Sequence, residues 1–218
     1  MVTTNSKVGV KTMDAIKEFR GDNEFLSNFY QRPIVVNFIP ALPWPAYAPL
    51  TIPTNEHAFQ ACKTKDPDQA LLIIQAGDAS TAKKLGRQVK LIDDWDTLRI
   101  PFMKKIVEAK FKQHIDLKIK LLMTGERELV EGNTWKDEFW GISQKTGQGE
   151  NHLGKILMEV RSEIKAADGN VLQVLKAHLE EKGLGFIGEA VIRLHTAAAD
   201  VLADGEASAL EEAVKLFV

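Results

Sequence analysis

Cysteine is nearly absent: Cys62 stands alone in 218 residues. No intramolecular disulfide can form, and no zinc site of the Cys-rich kind can be built. Charge of one sign is lacking too. Twenty-eight Lys and Arg face 30 Asp and Glu, a net of −2, so nothing draws the whole chain toward nucleic acid or an anionic membrane. A local basic patch stays open. The segment Met1 to Lys11 is polar, without the apolar centre of a signal peptide, and no apolar run reaches membrane-spanning length. The expectation is therefore a cytoplasmic protein with no membrane partner. The five histidines form no HExxH, and neither a GxSxG elbow nor a Walker loop occurs. Hydrolysis by metals held in that way and Ser-triad chemistry are excluded, and neither metal nor cofactor is expected.

What is present suits a globular enzyme. The apolar fraction is 44% and the charged fraction 27%, both ordinary for a chain that buries one core. Residues 1–13 read as a frayed leader. Ile34-Val35-Val36 is strand-like, and Gly21-Asp22-Asn23 is a turn signal. Five of the eight prolines crowd into residues 39–53, which excludes helix and central strand and predicts an extended surface loop. From Thr54 the pattern is helical. Thr54 or Asn55 caps a helix through Lys63, Asp66-Pro67 starts a second, and Ser80 caps a third that Gly86 closes. Longer helices follow over roughly 96–114 and 116–124. Residues 132–151 are loop-like, and Asn151 caps a helix through Ile164. The expected class is mainly α with a few short β strands. Beyond Asp168 the character changes. Residues 170–218 carry four basic and eight acidic side chains, and Leu172, Leu175, Leu179, Ile187, Val191 and Leu194 suggest amphipathic helices. The division expected is a catalytic domain over 14–167 and an acidic helical appendage over 168–218, a candidate surface for pairing with a second copy of the chain.

Four stretches carry candidate chemistry. At about 100° per residue, Glu56, Gln60 and Lys63 share one helical face with Phe59 beside them, either as a solvated ion network or as a site wall. In the long helix, Met103, Ile106, Val107 and Phe111 form an apolar stripe, and Lys110 falls on it. Such a lysine either snorkels to the rim or enters a dry pocket, where its pKa falls and it becomes a fixed charge or an amine nucleophile. Asn133 to Gly141 holds Trp135 and Trp140 among Asp137 and Glu138. Those rings either stack a planar base or anchor the loop to the core, and Trp95 poses the same choice. Gly147 to Gly154 runs into a helix, where glycines let backbone N–H groups reach a phosphate or merely permit close packing.

These pieces stand in a specific order. Phe19-Arg20-Gly21, Phe25-Leu26-Ser27-Asn28-Phe29 and Glu56-His57-Ala58-Phe59-Gln60-Ala61-Cys62-Lys63 come first. Ala82-Lys83-Lys84-Leu85-Gly86-Arg87, Asp94-Trp95, Ala109-Lys110-Phe111 and Leu121 to Gly125 follow. Leu129 to Asn133, Phe139-Trp140-Gly141 and Gly149 to Met158 complete the series. Together they resemble the NADAR family, also called YbiA-like, over about residues 16–165. Two departures are a longer, proline-richer region before Thr54, and Ile92 where many members carry a basic residue. The 170–218 tail has no counterpart in the family core.

The resemblance implies a compact, mainly helical fold and an N-glycosidase that cleaves a ribosyl C–N bond. It implies substrates such as phosphorylated riboflavin-biosynthesis intermediates or ADP-ribose attached to guanine, including in DNA. Cleaving that bond develops positive charge on the sugar, which a carboxylate stabilises while a proton reaches the leaving nitrogen. By analogy with O-glycosidases, Glu56 and Asp137 are the expected carboxylates, with acid and base not distinguished. Lys110 is expected to pin an anion or form a Schiff base with the ring-opened sugar, with Lys63 second for that role. Trp95 and Trp140 are expected to hold the base. Arg20 and the turn through Gly149, Asn151 and Gly154 are expected to hold phosphate, with Gly21, Asn28, Phe29 and Gly141 completing the pocket. The competing readings are an ADP-ribose-binding module without catalysis and an interaction protein acting through its acidic tail.

Overall fold

The computed structural model describes residues 14–43 and 45–185. The amphipathic pattern expected at Ile187, Val191 and Leu194 lies outside the described residues. Within them the chain is mainly α with a few short strands. A 3-10 turn, Gly21–Leu26, leads to an antiparallel pair of strands, β1 (Ile34–Val36) and β2 (Leu50–Ile52), in register Ile34 to Ile52. Six helices then build the body: α1 (Asn55–Ala61), α2 (Pro67–Ile74), α3 (Ala79–Gly86), α4 (Trp95–Gln113), α5 (Ile115–Met123) and α6 (His152–Asp168). A short parallel pair, β3 (Gly132–Asn133) and β4 (Ile142–Ser143), lies between α5 and α6, and α7 (Val171–Glu181) follows α6.

Local chemistry accounts for most boundaries. Thr54 caps α1 by accepting from the His57 N–H. Asp66 caps α2 with Pro67 in its first turn, where a missing N–H is harmless. The cap of α3 is Asp78, which accepts from Thr81 N at 2.7 Å; Ser80, expected there, sits inside the helix. A carboxylate two residues earlier wins because it aims its charge at the free amides of the first turn. The proline-rich stretch is not wholly a surface loop. Ile39, Ala41 and Leu42 are buried, and β2 fits between Pro49 and Pro53 in a sheet too small to have a central strand.

The α4 stripe is the spine of the core. Met103, Ile106, Val107 and Phe111 are all buried, and α4 packs on α1, α5 and α6. Each such side chain contributes roughly 1.5–3 kcal/mol by leaving water. The boundary expected between 167 and 168 falls at the last residues of α6. Val174, Leu175 and Leu179 of α7 join the same core against α5, and Lys118 on α5 bonds Asp168 at 2.7 Å. Among the described residues no helix is long and apolar enough to cross a membrane.

Candidate active site

Every residue of α1 is buried, so its polar side chains have protein or a cavity to face instead of bulk water. Glu56 is 4% exposed. Its Oε1 accepts from Gln60 Nε2 at 2.8 Å and lies 3.9 Å from the Lys83 ammonium on α3. Burial raises the carboxyl above its usual range, against the pull of Lys83. Helix α3 comes this close because Gly86 abuts Gln60, where any Cβ would collide. Just past α1, Lys63 holds its ammonium 5.7 Å from the Phe59 ring and 5.9 Å from the Trp95 ring. Burial lowers its pKa, with Glu56 opposing.

The facing wall comes from the irregular stretch after α5. Asn151, in a left-handed conformation, turns its side chain back to accept from Glu131 N at 3.1 Å and donate to Leu129 O at 2.9 Å. That fixes the segment carrying Glu131, just before β3. Burial pushes the Glu131 carboxyl up to about 7, with like-charged Asp137 adding to the effect. Its Oε2 is buried with no hydrogen-bond partner. Asn133 brackets the next turn, donating to Asp137 O at 2.8 Å and accepting from Asp137 N at 2.9 Å. The Asp137 carboxylate accepts from Trp140 N at 2.9 Å, which sets the Trp140 ring edge-on to Phe59.

These walls enclose a cavity of about 760 Å³. Glu56, Phe59, Gln60 and Lys63 line one side; Glu131, Asn133, Asp137 and Trp140 line the other. Arg20, Gly21, Phe29, Lys83, Arg87 and Trp135 surround it further, and Asn28, Ser27 and Met103 form part of the floor. The volume is typical of a small-molecule site, and fixed cations beside aromatic rings suit a phosphorylated, planar substrate.

The structure thus brings together Glu56, Asp137, Arg20, Gly21, Asn28, Phe29, Lys63 and Trp140. Lys110 is not among the cavity-lining residues. It does not snorkel either: it is 1% exposed, donates to Ser27 O at 2.9 Å, and lies 5.2 Å from the Tyr30 ring. Burial lowers it to about 7. Its place is behind the floor, one layer from the cavity. Trp95 is buried against Phe59 and Phe102 as an anchor, not a lining ring. The expected phosphate turn also differs. Gly141, Gly149, Asn151 and Gly154 stand outside the cavity lining. Asn151, His152 and Leu153 already donate their N–H groups to the carbonyls of Gly141, Phe139 and Trp140. The glycines there serve close packing: a Cβ on Gly154 would strike the Leu129 carbonyl. Asn151 occupies the N-cap position of α6 without capping it, because its side chain is spent on the Glu131 segment.

Glu131, Lys83 and Arg87 line the cavity without having been expected there. All three lie in the quoted motifs Leu129 to Asn133 and Ala82 to Arg87, which was the available signal. Among the described residues no group of three or more His, Cys, Asp or Glu is placed to hold a metal ion.

A family model for the NADAR domain matches residues 16–165. The chain belongs to the NADAR family. A riboflavin biosynthesis protein of Vibrio vulnificus (strain YJ016) is 37% identical over 154 residues, covering 69% of this chain; the chain spans only 38% of that longer protein. N-glycosidase YbiA of Shigella flexneri serotype 5b (strain 8401) is 36% identical over 140 residues, covering 63% of this chain and 79% of that one. The NMR structure of the E. coli protein YbiA superposes with a TM-score of 0.59 at 30% identity, covering 73% of this chain and 91% of that one. The NADAR match ends within α6, before α7.

Proposed function

We propose that this NADAR-family N-glycosidase hydrolyses the C–N bond between a phosphorylated ribosyl group and a planar base, in a riboflavin-biosynthesis intermediate or an ADP-ribosylated guanine. The observation that carries the reading is the pair of carboxyl groups, buried Glu56 and partly buried Glu131, that line one cavity with the Phe59 and Trp140 rings. Their surroundings differ. Glu131 has Asp137 as its strongest charged neighbour and keeps its proton near neutrality; Glu56 has Lys83 and Lys63, which favour the carboxylate.

The reaction follows from that difference. Glu131 gives its proton to the leaving nitrogen as the C–N bond breaks. Glu56 stabilises the positive charge on the sugar and takes a proton from the water whose oxygen bonds to C1′. The Glu56 proton then returns to solvent as Glu131 is reprotonated. Lys83, Arg87 and Arg20 hold the phosphate, and Trp140 holds the base. Asp137 moves from the expected catalytic pair to positioning Trp140. Lys63, and not Lys110, fills the amine role: it pins an anionic group beside Glu56 or, unprotonated, adds to the C1′ aldehyde of a ring-opened sugar and loses water to give an imine that water later hydrolyses. We place the protein in the cytoplasm, because its one thiol is free and buried. Pairing of two chains through residues beyond α6 stays part of the proposal.

The test is mass spectrometry of products after incubation with DNA carrying ADP-ribosylated guanine and with an early ribosylated riboflavin intermediate. Release of free base from either is expected. Intact substrate in both would overturn the reading.

A further inference from the structure

Trp135 is the most exposed of the large rings that line the cavity. It is 54% exposed, yet it lines the cavity at its mouth. An indole left in water forfeits the burial that normally justifies its size. The fold nonetheless holds it in place. The turn that carries it is closed at both ends by the Asn133 side chain, through Asp137 N and O, and the next residue, Lys136, is held at φ 63°. A non-glycine residue in that region costs free energy and persists only where the surroundings enforce it. Over one face of the ring stands the Arg20 guanidinium, its Cζ 5.9 Å from the ring centroid, and Arg20 also lines the cavity. With the cation over one face of the indole, the other face is left to stack a heteroaromatic ring while the guanidinium holds a neighbouring phosphate.

We propose that Trp135 and Arg20 form an outer subsite for a second nucleobase, joined through phosphate to the ribosyl group that the inner cavity cleaves. The inference rests on the proposed N-glycosidase reading for the inner cavity, and it adds a ring that this chemistry does not require. Trp140, half-buried against Phe59, serves the inner base; Trp135 serves the outer one. Two sources share this chemistry: the adenine of an ADP-ribosyl group, and the neighbouring base of a single strand.

The test is calorimetric binding to the full chain of three probes: ADP-ribose, a DNA trinucleotide and ribose 5-phosphate. Trp135→Ala should weaken one of the first two about tenfold, in line with the loss of one base-stacking contact. Ribose 5-phosphate should be unaffected, and Trp135→Phe should restore most of the loss. Whichever probe responds names the source. Equal affinities in wild type and Trp135→Ala for both ring-bearing probes, or no binding of either to the wild type, would overturn the subsite. So would equal weakening of ribose 5-phosphate, which would mark a structural role. Wild-type hydrolysis is measured separately, so loss of the subsite and loss of the N-glycosidase reading remain distinct outcomes.

Discussion

Helix α1 with the two residues that follow it, and helix α4, each bring a lysine into a place that lowers its affinity for a proton. Lys63 and Lys110 are alike in that respect. They differ in what lies in front of the ammonium. Lys63 opens on the cavity beside Glu56; Lys110 meets the Ser27 carbonyl and the Tyr30 ring, with Ser27 and Asn28 between it and the cavity. Burial alone therefore does not mark a reacting group. A depressed pKa becomes chemistry only where the group also has open space in front of it.

Removing the α1 carboxylate by Glu56→Gln should lower kcat about 10³-fold with the fold intact by circular dichroism. A variant within tenfold of wild type would dismiss this wall as the site. Next come the lysines themselves. Lys63→Met should cost about 10²-fold in kcat and abolish any borohydride-trapped adduct; Lys110→Met should stay within tenfold and leave trapping unchanged. The reverse pattern would restore Lys110 to the catalytic role.

Lys110 should show itself in stability. Folded, it releases its proton near pH 7; unfolded, near 10.5. Between those values the unfolded chain holds more protons, so stability rises with pH across that window; it is lost as pH falls from 10.5 toward 7 and levels off below. The unfolding free energy of the wild type, followed by urea titration, should gain about 2 kcal/mol between pH 7 and 9 relative to Lys110→Met. Parallel curves for the two proteins would show that Lys110 is not held in a dry place.

The smallest effect belongs to the opposite wall. Because Glu131 must carry a proton, kcat/KM should fall as pH rises through about 7. Glu131→Gln should lower the rate about 50-fold at neutrality, the low end for a general acid that is only half protonated there, and erase that limb. A limb that survives the substitution belongs to another group.

Much of this was legible in the residues, and unevenly so. Helical phase put Glu56, Gln60 and Lys63 on one face, and put Lys110 on the buried stripe of α4. Phase is local, and the helices obey it. It could not say which side of the stripe opens onto a cavity, because Ser27 and Asn28 arrive from a turn more than eighty residues earlier. Glu131 was invisible for the same reason: it lies in a stretch without periodicity, held by Asn151 some twenty residues on. Lys83 sat beside Lys84 in a short helix, and only the approach of α3 to α1 distinguishes them. The Gly147 to Gly154 segment misled in the opposite direction. Glycines before a helix suit an anion and suit a tight turn equally well, and here the carbonyls of Phe139, Trp140 and Gly141 had taken the amides.

The bracket that Asn133 places around residues 134–136 has a further consequence. Its hydrogen bonds run to the main chain of Asp137, so they do not depend on what Thr134, Trp135 or Lys136 are. The lip of the cavity is in that sense an interchangeable part. Its tip can vary in sequence while Glu56, Glu131 and Trp140 keep their positions, so preference for one bulky substrate over another can drift without touching the chemistry. Ancestors and descendants of such a chain could share one reaction and part company at a single side chain.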